Sequence, residues 1–497
     1  MANPAHRVLL VELNELTWTI IDRLIAEGRM PTFARLKREA VWAAPESVDL
    51  PPQLDPWITW VTVHTGVDSK VHGATVLEQD ANTISAKRSW EYAVAAGKSV
   101  GVFGTVGAYP PAPVPGFMVP GPFAPGNETW PPYIEPVQQL NRKYTQVHSG
   151  NASAGGPLDT AKLGLELLGL GLSPQTVARI AFQLGRERVD SSTYWRRVVL
   201  QPYVNYDVFD KLYRRYRPDF ATWHSNHAAH FMHHYWRAWD DSKFLTRSPE
   251  NEARIYGAAV PFGYEVADDL LAKFLKLAGP ETIVIMATSM GQQPYVAEQF
   301  KEGRIVVRFK DVRKLLDFMG IDGVTELVPT MVPQWNVRIP DATKRVRACS
   351  LLEKAYVTGN VRPRAFSVEE TGEVLTLTPG GLDKANPALR YFFPDVPNAD
   401  PKGHELGELF VCDVPTAKQG MHHPTGALLV TGPGIARGRH LEGVTNLDLL
   451  PTMLSLLGVP VPATLPGRVL DVLEAGPVSQ SASGAERSST ADVRAQA

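Results

Sequence analysis

Residues 223–236 read WHSNHAAHFMHHYW and hold five histidines, His224, His227, His230, His233 and His234. Imidazole titrates nearest neutral pH and is the commonest nitrogen ligand for metals, so such a cluster invites proton transfer or cation binding. Asn226 can cap a helix that begins near His227. On that helix His227, His230, His233 and His234 fall three to four residues apart and share part of one face. Two readings stay open. One is a dedicated metal site. The other has His230 alone facing a site while its neighbours pack around Tyr235 and Trp236.

Further residues able to do chemistry lie far away along the chain. Glu12, Asn14 and Glu15 fall at the end of the apolar run RVLLVEL, 7–13. Glu12 and Asn14 alternate along an extended strand, so both can point the same way at its end. Asp55 precedes Pro56 and Trp57 in LDPWITW. Proline at a first helical position leaves Asp55 as the N-cap, which is one reading of it. The other groups Glu12 and Asp55 with His230 and His422 as a catalytic set. Two carboxylates and two imidazoles can hold one cation, or act as general acid and base without one. Opposed carboxylates also suit glycosyl transfer or hydrolysis. His422 and His423 precede the buried run ALLVTGPG; bonding to a backbone carbonyl is the plainer role for one of them. Trp57 and Trp223 are aromatic neighbours of polar groups, as a glycan or nucleobase would need, or else they are core.

These residues need elements to position them. RVLLVEL is uninterrupted, as a strand buried on both faces should be. The helical spacing of Ile20, Ile21, Leu24 and Ile25 follows, Gly28 stops that helix, and Pro31 opens another. SVGVFGT (99–105), DFATWHS (219–225), TIVIMATS (282–289) and ALLVTGPG (427–434) read as further strands, each ending in small or polar residues. Strand, short loop and helix make a doubly wound α/β sheet, whose ligands sit at the carboxyl ends of its strands. The Pro/Gly-rich stretch 108–132 reads as an extended surface loop, 158–188 as helical and 301–400 as mixed.

The bulk composition narrows the function classes. Lys plus Arg is 50 against 52 for Asp plus Glu, a net charge of −2. That gives no electrostatic case for nucleic acid or an anionic membrane surface. Cys349 and Cys412 are too few for a disulfide framework and fit a reducing, cytoplasmic compartment. The short N-terminal apolar run, broken by Glu12, does not read as a signal peptide, and no stretch is long and apolar enough to span a bilayer.

In this order the segments resemble the alkaline phosphatase superfamily, its type I phosphodiesterase/nucleotide pyrophosphatase branch above all. VLLVELNELTWTIIDRLIAEGRMPTFARLKREA looks like that family's opening strand and helix. WVTVHTGVDSKVHG (60–73) looks like its active-site helix, and YPPAPVPGFMVPG is similar to a loop of bacterial members. HHPTGALLVTGPGIARG and TNLDLLPTMLSLLGVPVPATLPGRVL look like its last metal-ligand loop and C-terminal segment. The likeness implies an alkaline-phosphatase-like α/β core over 7–130, 205–300 and 405–472, a central mostly parallel sheet flanked by helices. Insertions 131–204 and 301–404 would form a cap, and 474–497 a disordered tail.

Members of that family hold two divalent metals with Asp and His and attack phosphorus with Ser or Thr; paired metals stabilise attacking and leaving oxygens alike. Carried over one position at a time, the ligands fall on Asn14, on Asn226 with His230, on Ser289 with Met290, and on His422 or its neighbour His423. The nucleophile falls on Pro56, with Thr59 and Thr62 close by. The resemblance therefore implies the fold with a remodelled site and at most one divalent metal ion. Glu12, Asp55, His230 and His422 are the expected catalytic residues. Asn14, Trp57, Thr59, Asn226, Ser289 and His423 are the expected substrate contacts. The implied activity is hydrolysis or transfer of a phosphoester, phosphodiester or sugar phosphate, the substrate a small molecule, a glycan or another phosphate-containing compound. Two alternatives stand beside it: an inactive member that binds a ligand or partner, and a metal-independent acid–base enzyme, such as a glycosyl-transfer enzyme, using Glu12 and Asp55.

Overall fold

The computed structural model describes residues 6–474 apart from 76, 78, 149–156, 297–306, 330–333, 361–362, 381, 383–387 and 413–418. The tail expected at 474–497 therefore lies, beyond Glu474, outside the described residues.

The apolar runs become strands. In chain order they are β1 (Arg7–Leu13), β2 (Val41–Ala43), β3 (Val100–Thr105), β4 (Gly116–Pro120), β5 (Phe220–Ser225), β6 (Thr282–Ala287), β7 (Gly291–Pro294), β8 (Gly420–His423), β9 (Leu428–Thr431) and β10 (Arg439–Leu441). Eight of them form one sheet in the order β10-β2-β9-β6-β1-β5-β3-β4, while β7 and β8 make a separate two-stranded ribbon. Only β9 runs against its neighbours, β2 and β6. The Pro/Gly-rich stretch 108–132 contains β4, so it is not loop throughout. β4 is the edge strand of the sheet, and Met118 at its middle exchanges backbone bonds with Trp130 from the same stretch.

Alternate residues of β1 feed two cores. Val8 and Leu10 pack with Trp60, Phe220, Ile285 and Leu450 on one face. Leu9 and Val11 pack with Trp223, Phe231, Tyr264 and Phe274 on the other. Each such side chain contributes about 1.5–3 kcal/mol when fully buried. The helices that matter here are α1 (Trp18–Ala26), α2 (Pro31–Glu39), α3 (Pro56–Thr65), α4 (His227–Trp239) and α5 (Ala259–Ala278). Trp60 places α3 on the first face; Phe231 and Tyr264 place α4 and α5 on the second. The chain is thus an α/β protein with a mostly parallel central sheet flanked by helices.

The two insertions differ. Buried Leu163, Leu167, Leu170 and Trp195 belong to the same cluster as Leu9 and Trp223, so the helices of 157–204 extend the core of one sheet face. Residues from Val307 to Phe410 instead have a core of their own, with Leu316, Val337, Leu352, Leu375 and Tyr391 at its centre. This second body is strung between β7 and β8. Among the described residues no helix is long and apolar enough to cross a membrane.

Candidate active site at the carboxyl ends of the strands

The loop after β1 starts as a continuation of the strand, with Asn14 N–H bonded to Ser225 O at 3.0 Å. Glu15 then turns into the left-handed region at φ 63°. A residue with a Cβ is disfavoured there by about 1–2 kcal/mol, so its contacts must hold it. They do. Its buried carboxylate accepts from Asn14 Nδ2 at 2.8 Å and from Gln292 Nε2. It also faces His233 Nε2 at 3.2 Å and His422 Nε2 at 3.8 Å. Burial opposes ionisation of Glu15, but the neighbouring His422 and His233, with the hydrogen bonds from His233 and Gln292, outweigh it and hold its pKa down to about 2.

Two elements bring those imidazoles in. His422 lies on β8 opposite Gln292 on β7, and cross-strand partners share a face, so both reach Glu15. His233 lies on α4, and its Nδ1 donates to Gly420 O at 2.9 Å. Gly420 allows β8 to run this close: a Cβ there would collide with Gln292 Oε1 and stand 2.9 Å from Met232 O. His422 Nδ1 donates to Leu54 O at 2.8 Å and lies 3.1 Å from Asp55 Oδ1. A ring nitrogen on a carbonyl must carry its hydrogen, so each Nε2 bears a hydrogen facing Glu15 when its imidazole is protonated and a lone pair when it is neutral. Glu15, His233 and His422 each offer one ligand atom within 4.8 Å of the other two, a group able to hold a metal ion.

Asp55 occupies the N-cap position of α3, yet its side chain makes no capping bond and turns to His422 instead. Of the four residues expected to be catalytic, the structure brings these two together. Glu12 sits beneath, fully buried, with His64 Nε2 at 3.0 Å, His224 Nδ1 at 3.0 Å and Thr105 Oγ1 at 3.1 Å. Burial again opposes its charge and both histidines favour it, leaving its pKa at about 2. Glu12 and Asn14 do face the same way, towards α3: Asn14 Oδ1 accepts from Trp60 Nε1 at 2.8 Å. His230 is half-buried, its ring 4.4 Å from that of His234. The imidazole of α4 that meets Glu15 is that of His233.

The expected substrate contacts fall mostly in the frame of the site. Asn14 Nδ2 donates to Asn226 Oδ1 at 2.7 Å. Thr59 Oγ1 donates to Ser289 Oγ at 2.8 Å, and both are buried. His423 Nδ1 accepts from Thr425 N at 3.1 Å within its own turn. Trp57 is half-buried on the first turn of α3, whereas Trp223 is core. His227 is buried as well, with Nε2 on Gly263 O at 3.1 Å and Nδ1 on Ser225 Oγ at 2.8 Å.

On sequence Glu15 stands at the strand end, yet it, His233 and Gln292 lie outside the expected catalytic set. His233 had a signal: it lies seven residues, two helical turns, after Asn226 and so on the same face. Gln292 had none.

No family model and no curated protein matches the chain. Among solved structures it is similar to a phosphonoacetate hydrolase from Sinorhizobium meliloti 1021, determined in complex with phosphonoacetate, at 14% identity and a TM-score of 0.40, over 93% of this chain and 98% of that one.

Proposed function

We propose that the chain hydrolyses or transfers a phosphoester, phosphodiester or sugar-phosphate group at the cluster of Glu15, Asp55, His233 and His422. The observation that carries this reading is the contact of Asp55 with His422, 3.1 Å, at the mouth of α3. It joins two residues 367 positions apart at the end of the sheet where ligands of open α/β folds bind. The resemblance of the sequence segments to the alkaline phosphatase superfamily supplies the substrate class.

In this reading Asp55, about a quarter exposed, takes the proton of the attacking water or hydroxyl. His422 keeps that carboxylate in place through Nδ1. Glu15 and His233, held by Asn14, Gln292 and Gly420, form the fixed floor against which the phosphoryl group is oriented. Trp57, on the same turn as Asp55, offers an apolar edge to the organic part of the substrate.

The test is turnover of bis(p-nitrophenyl) phosphate and p-nitrophenyl phosphate by the full chain, with and without added Mn²⁺ or Zn²⁺. The wild type should turn over one of them. Asp55→Asn should lower kcat by about 10²–10⁴-fold, the range for a general base, with an unchanged thermal midpoint. A wild type inert towards both esters under every condition refutes the reading.

A further inference from the structure

We infer that the chain binds one divalent transition-metal ion, not two, through Glu15, His233 Nε2 and His422 Nε2. Two ligands each about 2.0–2.2 Å from a tetrahedral ion sit about 3.4 Å apart. His233 Nε2 stands 3.2 Å from Glu15 Oε2 and His422 Nε2 3.8 Å from Oε1, separations close to that value with each ring facing its own oxygen. Metal-bound imidazoles characteristically give their other N–H to a carbonyl or carboxylate. Here His233 gives it to Gly420 O, and His422 to Leu54 O beside Asp55. The carboxylate is oriented in the same manner, by Asn14 and Gln292. Two imidazoles and one carboxylate suit a zinc- or iron-class ion better than magnesium or calcium, which prefer oxygen throughout. Three protein ligands leave a coordination position for water or substrate.

Among the described residues, Glu15, His233 and His422 make the one group of three able to hold an ion, and the positions to which the family resemblance assigns further ligands are poorly suited to a second. Asn14 spends its amide oxygen on Trp60 and its amide hydrogens on Glu15 and Asn226. Ser289 is tied to Thr59. Met290 is fully buried, and its thioether is a poor ligand for a hard cation. The positions that would hold the second centre have become the frame of the first. The inference deepens the proposed function and in its chemistry rests on it: a cation offsets the two carboxylates that would otherwise face an anionic phosphoryl group.

Binding is read without turnover. The full chain is stripped with a chelator and titrated with Zn²⁺ alone by calorimetry, and the Co²⁺-loaded form is followed by its visible absorption. One ion per chain is expected. Glu15→Gln, His233→Ala and His422→Gln should each weaken binding by about 100-fold or more, while His234→Ala leaves it unchanged. Circular dichroism checks each fold, and if Glu15→Gln does not fold, the two histidine variants report on the same ligand set. Two ions per chain, no ion, or wild-type affinity in His233→Ala overturns the inference. One bound ion without phosphoester turnover would leave this site standing and refute the proposed reaction; turnover without a bound ion would do the reverse.

Discussion

Glu12 and Glu15 lie three residues apart, and each gathers two imidazoles, yet the two clusters have opposite characters. Around Glu12 everything is closed. Both histidines are buried, Thr105 takes a further bond to the carboxylate, and His64 spends its other nitrogen on Ser89 Oγ at 2.7 Å. Around Glu15 the carboxylate is buried, but the side chains of His233 and His422 are 21% and 15% exposed, and their Nε2 atoms converge. Composition does not separate the two. What does is whether backbone carbonyls hold the far nitrogen of each ring, which leaves the near one open to a ligand. By that criterion the cluster around Glu12 is closed, and the one around Glu15 is the candidate site.

The largest effect should come from breaking the closed cluster. Glu12→Ala leaves two buried imidazoles without their acceptor, and removing one partner of a buried charged group costs about 3–5 kcal/mol. Glu15→Ala should cost only about 1–2 kcal/mol, because water reaches its histidines, while abolishing cation binding. Urea unfolding of both variants checks this. Equal losses of stability would erase the distinction between the clusters.

A third buried histidine sharpens it at lower amplitude. Among the described residues His227 meets a hydroxyl and a carbonyl, Ser225 Oγ and Gly263 O, and no carboxylate. Burial, only partly offset by the bond to Gly263 O, lowers its pKa from 6.5 to about 4. Between those values the unfolded chain binds a proton that the fold refuses, so stability falls as pH drops from about 6.5 to 4, by about 3 kcal/mol in all. Glu12 acts in another window. Its folded pKa is depressed, so its contribution is complete above about 4.5 and is lost only as pH falls towards 2. Stability measured across a pH series should show both steps. His227→Gln should flatten the upper one and leave the lower, and a slope that persists between pH 6.5 and 4 in that variant would assign it elsewhere.

Much of the frame was legible because it is written in short-range pattern. The uninterrupted runs at 7–13, 219–225 and 282–289 are strands within a residue or two of their expected bounds, and Gly28 and Pro31 punctuate α1 and α2. The grouping of Asp55 with His422 came from the family resemblance, which put one beside the nucleophile position and the other on the last ligand; they stand 3.1 Å apart. The rest depends on long-range register. An apolar run carries no direction, so nothing marked β9 as antiparallel. Gln292 and His422 face each other across an insertion of more than 100 residues, and no local signal encodes that pairing. The left-handed turn at Glu15, a residue type that disfavours it, is imposed by the contacts of the folded state.

The smallest expected effect falls on His230, and it tests the helix phase on which the open cluster depends. His230 and His233 are three residues apart, so their side chains leave α4 in directions only about 60° apart. Sequence spacing alone cannot choose between them, and His230 is the one the family resemblance points to. What selects His233 is a fixed acceptor: Gly420 O captures its Nδ1 at 2.9 Å and turns Nε2 towards Glu15. His230 instead lies against the His234 ring. Its removal should cost about 0.5–1.5 kcal/mol, the scale of a ring–ring contact, and leave kcat/KM within about threefold of wild type. Loss of Gly420's captured imidazole in His233→Ala should instead abolish cation binding and turnover together. Steady-state kinetics and thermal midpoints of the two variants decide. If His230→Ala is inactive while His233→Ala is not, α4 is rotated by those 60° in the working protein. His230 would then complete the open cluster, and the carbonyl criterion separating it from the closed one would fail.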